Sequence, residues 1–236
     1  MATVMVTRPD DVAERTARGL RDRGHQVLLA PVLTIVPTGA PPPAWDDVQA
    51  ILVTSRQAVL ALAGQRLTRP VWSVGQSTAD AARAADWPQG GVGAADGTAL
   101  ADLLSSSLDP KAGALVHARG RTAAPGLATR LKRGGFDYRP WIVYAAEPVR
   151  RWPPETVAAL ADGGVDAITF HSPDSARAFL GLIAAAEMGE RLERIDAFCL
   201  SEKVAQVLGD ARFRAIHVAA HPNETAMGTL LEATGH

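Results

Sequence analysis

Eight short polar clusters, each following an apolar run, hold the residues best suited to chemistry in this chain of 236 residues. Thr7-Arg8-Pro9 and Ala118-Arg119-Gly120-Arg121 form one pair, Thr54-Ser55-Arg56 and His171-Ser172-Pro173 a second. Gly75-Gln76-Ser77-Thr78 and Ser201-Glu202-Lys203-Val204 form a third, Asp96-Gly97-Thr98 and Asn223-Glu224-Thr225 a fourth. Hydroxyls, glycines and cations beside the free N–H groups of a helix start suit carboxylate or phosphate binding. The plainer alternative is helix capping, which Ser, Thr, Asp and Asn serve equally well. The candidate ligand-binding residues are Thr7, Arg8, Ser55, Gly75, Gln76, Thr78, Thr98, Arg119, Ser172, Ser201, Lys203 and Thr225.

Other chemistries find little support. His217 and His221 have a spacing that suits zinc only on a helix, whereas Ile216 to Val218 reads as a strand and Pro222 follows, so no metal is expected. Cys199 is the only cysteine, lies in an apolar run and reads as a small buried hydrophobe. Gly90-Gly91-Val92-Gly93 lacks the Lys-Ser/Thr of a phosphate loop and is expected to be a surface turn. No G-x-G-x-x-G follows the first strand, which argues against a nucleotide-using transferase, and no Ser-His-Asp order surrounds a nucleophile elbow. Such a chain suits either a binding protein or an enzyme that mainly positions a reactive substrate.

The elements that must position these clusters are written twice. Arg8 pairs with Arg119 and Leu20 with Leu131, both 111 positions on, as does the run Arg21 to Gly24 with Lys132 to Gly135. At larger offsets Ala50 to Ser55 matches Ala167 to Ser172, and Val71 to Val74 matches Ala197 to Leu200. Strands are expected at 4–6, 27–29, 51–53, 71–74, 115–116, 141–144, 168–170, 198–200 and 216–218. Helices are expected at 10–24, 56–64, 76–86, 97–107, 122–134, 154–162, 174–188, 202–209 and 223–234, the first capped by Asp10 or Asp11. Strands apolar on both faces, alternating with helices, predict parallel sheets covered on both sides. The clusters then fall at the C-terminal strand ends that line ligand crevices in such sheets.

The fold class expected is α/β, with two similar doubly wound, flavodoxin- or Rossmann-like domains joined by a two-stranded linker. Pro-rich breaks at 37–43 and 148–154 occupy equivalent phases of the repeat. They imply one discontinuous domain, residues 1–34 plus 149–236, and one inserted domain, 38–144, with linkers near 35–37 and 145–148. A net charge of −1 offers no global field for nucleic acid or an anionic surface. No secretion signal or membrane span is read, so a cytoplasmic monomer acting on a small molecule is expected.

Val6-Thr7-Arg8-Pro9, Leu52-Val53-Thr54-Ser55, Val74-Gly75-x-x-Thr78, Val143-Tyr144 and Ile168-Thr169-Phe170-His171-Ser172-Pro173 resemble the uroporphyrinogen-III synthase family in order and spacing. The resemblance spans nearly the whole chain. It implies a cyclising dehydration: linear hydroxymethylbilane loses water and closes to uroporphyrinogen III with its D ring inverted, without cofactor or metal. It also implies that Tyr144, on the returning linker, gives a proton to the departing hydroxyl. The second module departs from the family pattern, since Ser201-Glu202-Lys203-Val204 stands where a Gly-x-x-Thr turn is usual. The alternative is a non-catalytic two-domain sensor or binding module for an acidic small molecule.

Overall fold

The computed structural model describes residues 1–94, 96–123 and 126–235, without the side chains of Asp10 and Asp11. The chain begins with β1 (Thr3–Val6), α1 (Asp10–Arg21), β2 (Gln26–Leu29), β3 (Leu33–Pro37), β4 (Val48–Val53), α2 (Arg56–Ala61) and β5 (Val71–Val74). It continues through α3 (Gln76–Ala84), β6 (Gln89–Gly93), α4 (Gly97–Ser107), β7 (Ala114–Gly120), α5 (Gly126–Arg133) and β8 (Tyr138–Pro148). Then come α6 (Pro154–Ala161), β9 (Ala167–Phe170), α7 (Pro173–Ala185), a 3-10 turn (Gly189–Arg194), β10 (Asp196–Cys199), α8 (Glu202–Leu208), β11 (Ala215–Val218) and α9 (Glu224–Ala233).

Two compact units result, Met1–Thr34 with Glu147–His236, and Ile35–Ala146. Among the described residues the first unit holds the sheet β11-β10-β9-β1-β2 and the second β3-β8-β7-β4-β5-β6. The neighbours β1, β2, β9, β10 and β11 pair in parallel, as do β4 to β8. In repeat terms β7 corresponds to β1, β8 to β2, and β4, β5 and β6 to β9, β10 and β11. Both sheets therefore share the flavodoxin-like order 2-1-3-4-5, whose switch point lies between the first and third strands. That point is β1/β9 in the first unit and β7/β4 in the second. β3 is the extra edge strand beside β8. Thr38 N–H donates to the Val143 carbonyl at 3.0 Å and Val149 N–H to that of Val32, also at 3.0 Å, as in an antiparallel ladder.

Alternation along the strands builds a core on each face. In the first unit Met5, Ile168, Phe170, Ala197 and Cys199 pack with Phe179, Leu182 and Ile183 of α7 and Val204 and Leu208 of α8. Their neighbours Val4, Val6, Ala167 and Phe198 point the other way, onto Ala13 and Leu20 of α1 and Met227 and Leu231 of α9. In the second unit Ile51, Val53, Val116 and Ala118 meet α2 and α3, while Ala50, Leu52, Trp72 and Leu115 meet α4 and α5. Each fully buried Phe, Leu or Ile contributes roughly 1.5–3 kcal/mol. Helix coverage of both faces is why the strands read as continuous apolar runs.

Some expectations need correction. Gly90 to Gly93 is not a surface turn but lies in β6, which pairs with β5. Glycine is a poor strand former, yet a Cβ on Gly91 would come within 2.6 Å of the Trp72 ring, so the bare backbone lets the indole lie across the strand. β6 and the 3-10 turn were absent from the expected strands and helices, whereas β3 overlaps the first pass of the expected two-stranded linker. α1 starts at Asp10 with Pro9 before it, so Asp10 is inside the helix rather than ahead of it. The capping side chains expected there, Asp10 and Asp11, and positions 124–125 of the expected helix 122–134 lie outside the described residues.

Candidate functional site

The second unit gathers its polar residues at the β7/β4 switch point. Tyr144 leaves β8, crosses Gly120 of β7 and reaches Ser55 beyond β4, with Ser55 Oγ and the Tyr144 hydroxyl 3.0 Å apart. The strand order β8-β7-β4 puts Gly120 under the ring. A Cβ there would lie 2.7 Å from Tyr144 Cε2 and 3.0 Å from its hydroxyl oxygen. Only glycine at this position leaves room for the phenol to span β7. Ser55 also caps α2, its Oγ accepting from Ala58 N–H at 3.3 Å.

Beside this pair stands His117, which the sequence reading did not single out. It is buried at 3% exposure in the middle of β7. Its Nδ1 lies 2.8 Å from the Tyr138 hydroxyl and its Nε2 3.0 Å from Thr54 Oγ1. Burial, reinforced by the Arg119 charge, pulls its pKa down to about 4, so the ring is neutral near pH 7. Thr54 and His117 line a concavity of about 440 Å³ with Asp96, Gly97, Thr98 and Leu127. Arg119 is partly buried at the end of β7, and its Nε makes no hydrogen bond. The one signal for His117 in the sequence was a lone polar residue among Leu115, Val116 and Ala118.

The first unit answers with a charge cluster. Arg8, after β1, is ion-paired with Glu224 at the start of α9. Thr16 of α1 donates to Glu224 Oε1 at 3.2 Å, and His171 Nε2 stands 3.5 Å from Oε2, in ion-pair range but without a hydrogen bond from either ring nitrogen. Burial favours the neutral carboxyl, but His171, Arg8 and the Thr16 hydroxyl outweigh it and hold Glu224 at about 2. Thr7 is buried and its hydroxyl donates to the Thr169 carbonyl at 2.7 Å. Thr225 is exposed on α9 and lines a groove of about 190 Å³ with Thr16 and Glu224.

Capping accounts for several junctions. Asp96 accepts from Thr98 N–H at 2.8 Å and from Ala99 N–H at 2.9 Å, Ser172 forms a capping box with Ser175, and Asn223 caps α9. The equivalent starts of α3 and α8, at Gly75 and Ser201, have no side-chain cap. Gln76 bonds Asp80 at 2.7 Å, Thr78 is buried within α3, and Lys203 is exposed on α8. Cys199 is buried with its thiol pushed up to about 12 by desolvation and then by Glu202. His217 stacks on Phe198 and stands 3.3 Å from Asp196.

These features define an α/β protein of two flavodoxin-like units with hydroxyl-rich switch points. The family model for uroporphyrinogen-III synthase HemD matches residues 14–228. The chain belongs to the uroporphyrinogen-III synthase family, cyclising lyases of tetrapyrrole biosynthesis. Uroporphyrinogen-III synthetase from Helicobacter pylori 26695 superposes with a TM-score of 0.63 at 16% identity, over 99% of this chain and 100% of that one, which shows the fold. Two structures of uroporphyrinogen III synthase from Thermus thermophilus are less similar in shape. One, of a mutant protein, has a TM-score of 0.47 at 21% identity over 100% of this chain and 98% of that one. The other has a TM-score of 0.44 at 19% identity over the full length of both. Comparison with curated proteins finds no significant match. The sensor reading gains nothing from these findings. No helix among the described residues is long and apolar enough to cross a membrane.

Proposed function

We propose that the chain performs its family's reaction through Tyr144, with junction residues holding the carboxylates of hydroxymethylbilane. The observation that carries this reading is the phenol of Tyr144 spanning Gly120 to meet Ser55. With Ser55 donating to the phenol oxygen, the phenolic proton stays available for the departing hydroxyl. That hydroxyl leaves as water while the pyrrole nitrogen supplies the electron pair, giving an azafulvene. A spiro intermediate then allows the D ring to invert before the macrocycle closes. Catalysis is mainly placement of a flexible substrate, with one positioned acid.

Carboxylate binding is assigned to Arg8, Ser172, Ser201, Lys203 and Thr225 in the first unit, with Thr7 shaping the end of β1. In the second unit it falls to Thr98, Arg119 and the uncapped start of α3 at Gly75, Gln76 and Thr78, while Ser55 serves the substrate through the phenol of Tyr144. Uncapped N–H groups at that start favour an anion. The reading takes the protein as a cytoplasmic monomer that needs neither cofactor nor nucleic acid. The test supplies freshly made hydroxymethylbilane and separates the product isomers. Uroporphyrinogen III is expected, and the type I isomer alone, at the rate seen without protein, would overturn the proposal.

A further inference from the structure

We propose that His117 is a positioning residue that relays hydrogen-bond polarity from Tyr138 to Thr54, so that the Thr54 hydroxyl points its proton into the concavity of the second unit as a donor to a substrate carboxylate. The proposal rests on the functional reading above.

A neutral imidazole carries one N–H, so its two contacts have opposite sense. Either Tyr138 donates to Nδ1 and Nε2–H donates to Thr54, or Thr54 donates to Nε2 and Nδ1–H donates to Tyr138. A phenol is more acidic than an aliphatic alcohol and a poorer acceptor, because its lone pair is shared with the ring. The first arrangement therefore uses the better donor and the better acceptor. Its distances agree: 3.0 Å between Nε2 and Thr54 Oγ1 matches the common N–H···O separation, and the phenol contact is shorter at 2.8 Å. Protonation would place two N–H groups against the two hydroxyls, but burial and the Arg119 charge keep the ring neutral near pH 7.

Thr54 then accepts from His117 and retains its own proton. Among the described residues no other group bonds that hydroxyl, and Thr54 lines the concavity of about 440 Å³. Arg119 supplies positive charge near His117 and Tyr138. The Asp96 carboxylate on the same wall is engaged by two helix N–H groups. Tyr138 lines no part of the concavity among the described residues, so it can influence a ligand there only through His117.

The test is ¹⁵N NMR of the full-length chain labelled at histidine, the His117 signals being identified by their loss in His117→Gln. The Nε2–H tautomer is expected, and the Nδ1–H tautomer in the wild type would overturn the relay. This readout is independent of turnover, so absence of uroporphyrinogen III synthesis would sink the functional reading while the tautomer still decides the relay. In kinetics, Thr54→Val should raise KM roughly tenfold with a smaller change in kcat, the scale of one hydrogen bond to a charged group. Tyr138→Phe should raise KM in the same direction and reduce the Nε2–H population. A Tyr138→Phe protein with wild-type KM beside an impaired Thr54→Val would refute the relay, whereas a merely structural tyrosine would alter Tm alone.

Discussion

Acidification from about pH 7.5 to about pH 5 should destabilise the second unit, with His117 as the cause. The folded protein holds this imidazole at about 4, against 6.5 in the unfolded chain, first through burial and then through the Arg119 charge. Between those values the unfolded chain binds more protons than the folded one, so stability falls as pH falls. The contribution of His117 is complete above 6.5 and is lost progressively toward 4. The two pKa values give a loss of about 2 kcal/mol at pH 5 and a limit of about 3 kcal/mol at lower pH. Urea titration followed by tryptophan fluorescence suits the measurement, because Trp45, Trp72, Trp87 and Trp141 all lie within 35–146. In His117→Gln the other histidines still titrate, so their effect cancels in the comparison. The difference in stability between the two proteins should shrink by about 2 kcal/mol over that range. A constant difference would refute the reasoning, since it would mean that the buried ring accepts a proton as readily as an exposed one.

Three further outcomes are expected. Tyr144→Phe keeps the ring but removes the proton, and should lower the initial rate of uroporphyrinogen III formation at least about 100-fold with Tm nearly unchanged. Near wild-type turnover would remove Tyr144 as the acid. Gly120→Ala adds a Cβ 2.7 Å from the Tyr144 ring, so kcat should fall as the phenol is displaced from Ser55, and unchanged kcat would mean the ring has room to move. Glu224 should support the first unit fully above its ordinary 4.5 and lose that effect as pH falls toward about 2. Acid unfolding followed by circular dichroism should therefore be shallower in Glu224→Gln across that window, and identical profiles would argue against the cluster with Arg8 and His171.

Much of the secondary structure was legible because the sheets are covered on both faces. Val71–Val74 and Gly97–Ser107 match the expected strand and helix at both ends. Runs such as Ile51 to Val53 are apolar throughout, which in an α/β protein marks a central parallel strand. β6 was not legible, because its glycines make sense only once Trp72 is seen lying across them. The polar clusters were legible as helix starts, but their roles were not. Ser172 and Asn223 look alike in sequence to Ser201, yet the first two cap their helices and Ser201 does not.

The sequence alone determined the duplication, the α/β class and the family, since these depend on residue order, apolar periodicity and short motifs. Tertiary structure decided which side chains share a site, because that depends on strand order rather than on distance along the chain. β8-β7-β4 brings Tyr144 across Gly120 to Ser55, and β7 beside β4 puts His117 against Thr54. It also decided the charge states. His117 is neutral because it is buried beside a cation, and Glu224 is strongly acidic because Arg8 and His171 stand against it. Desolvation and Coulomb interaction act through space, and only the folded chain sets those distances.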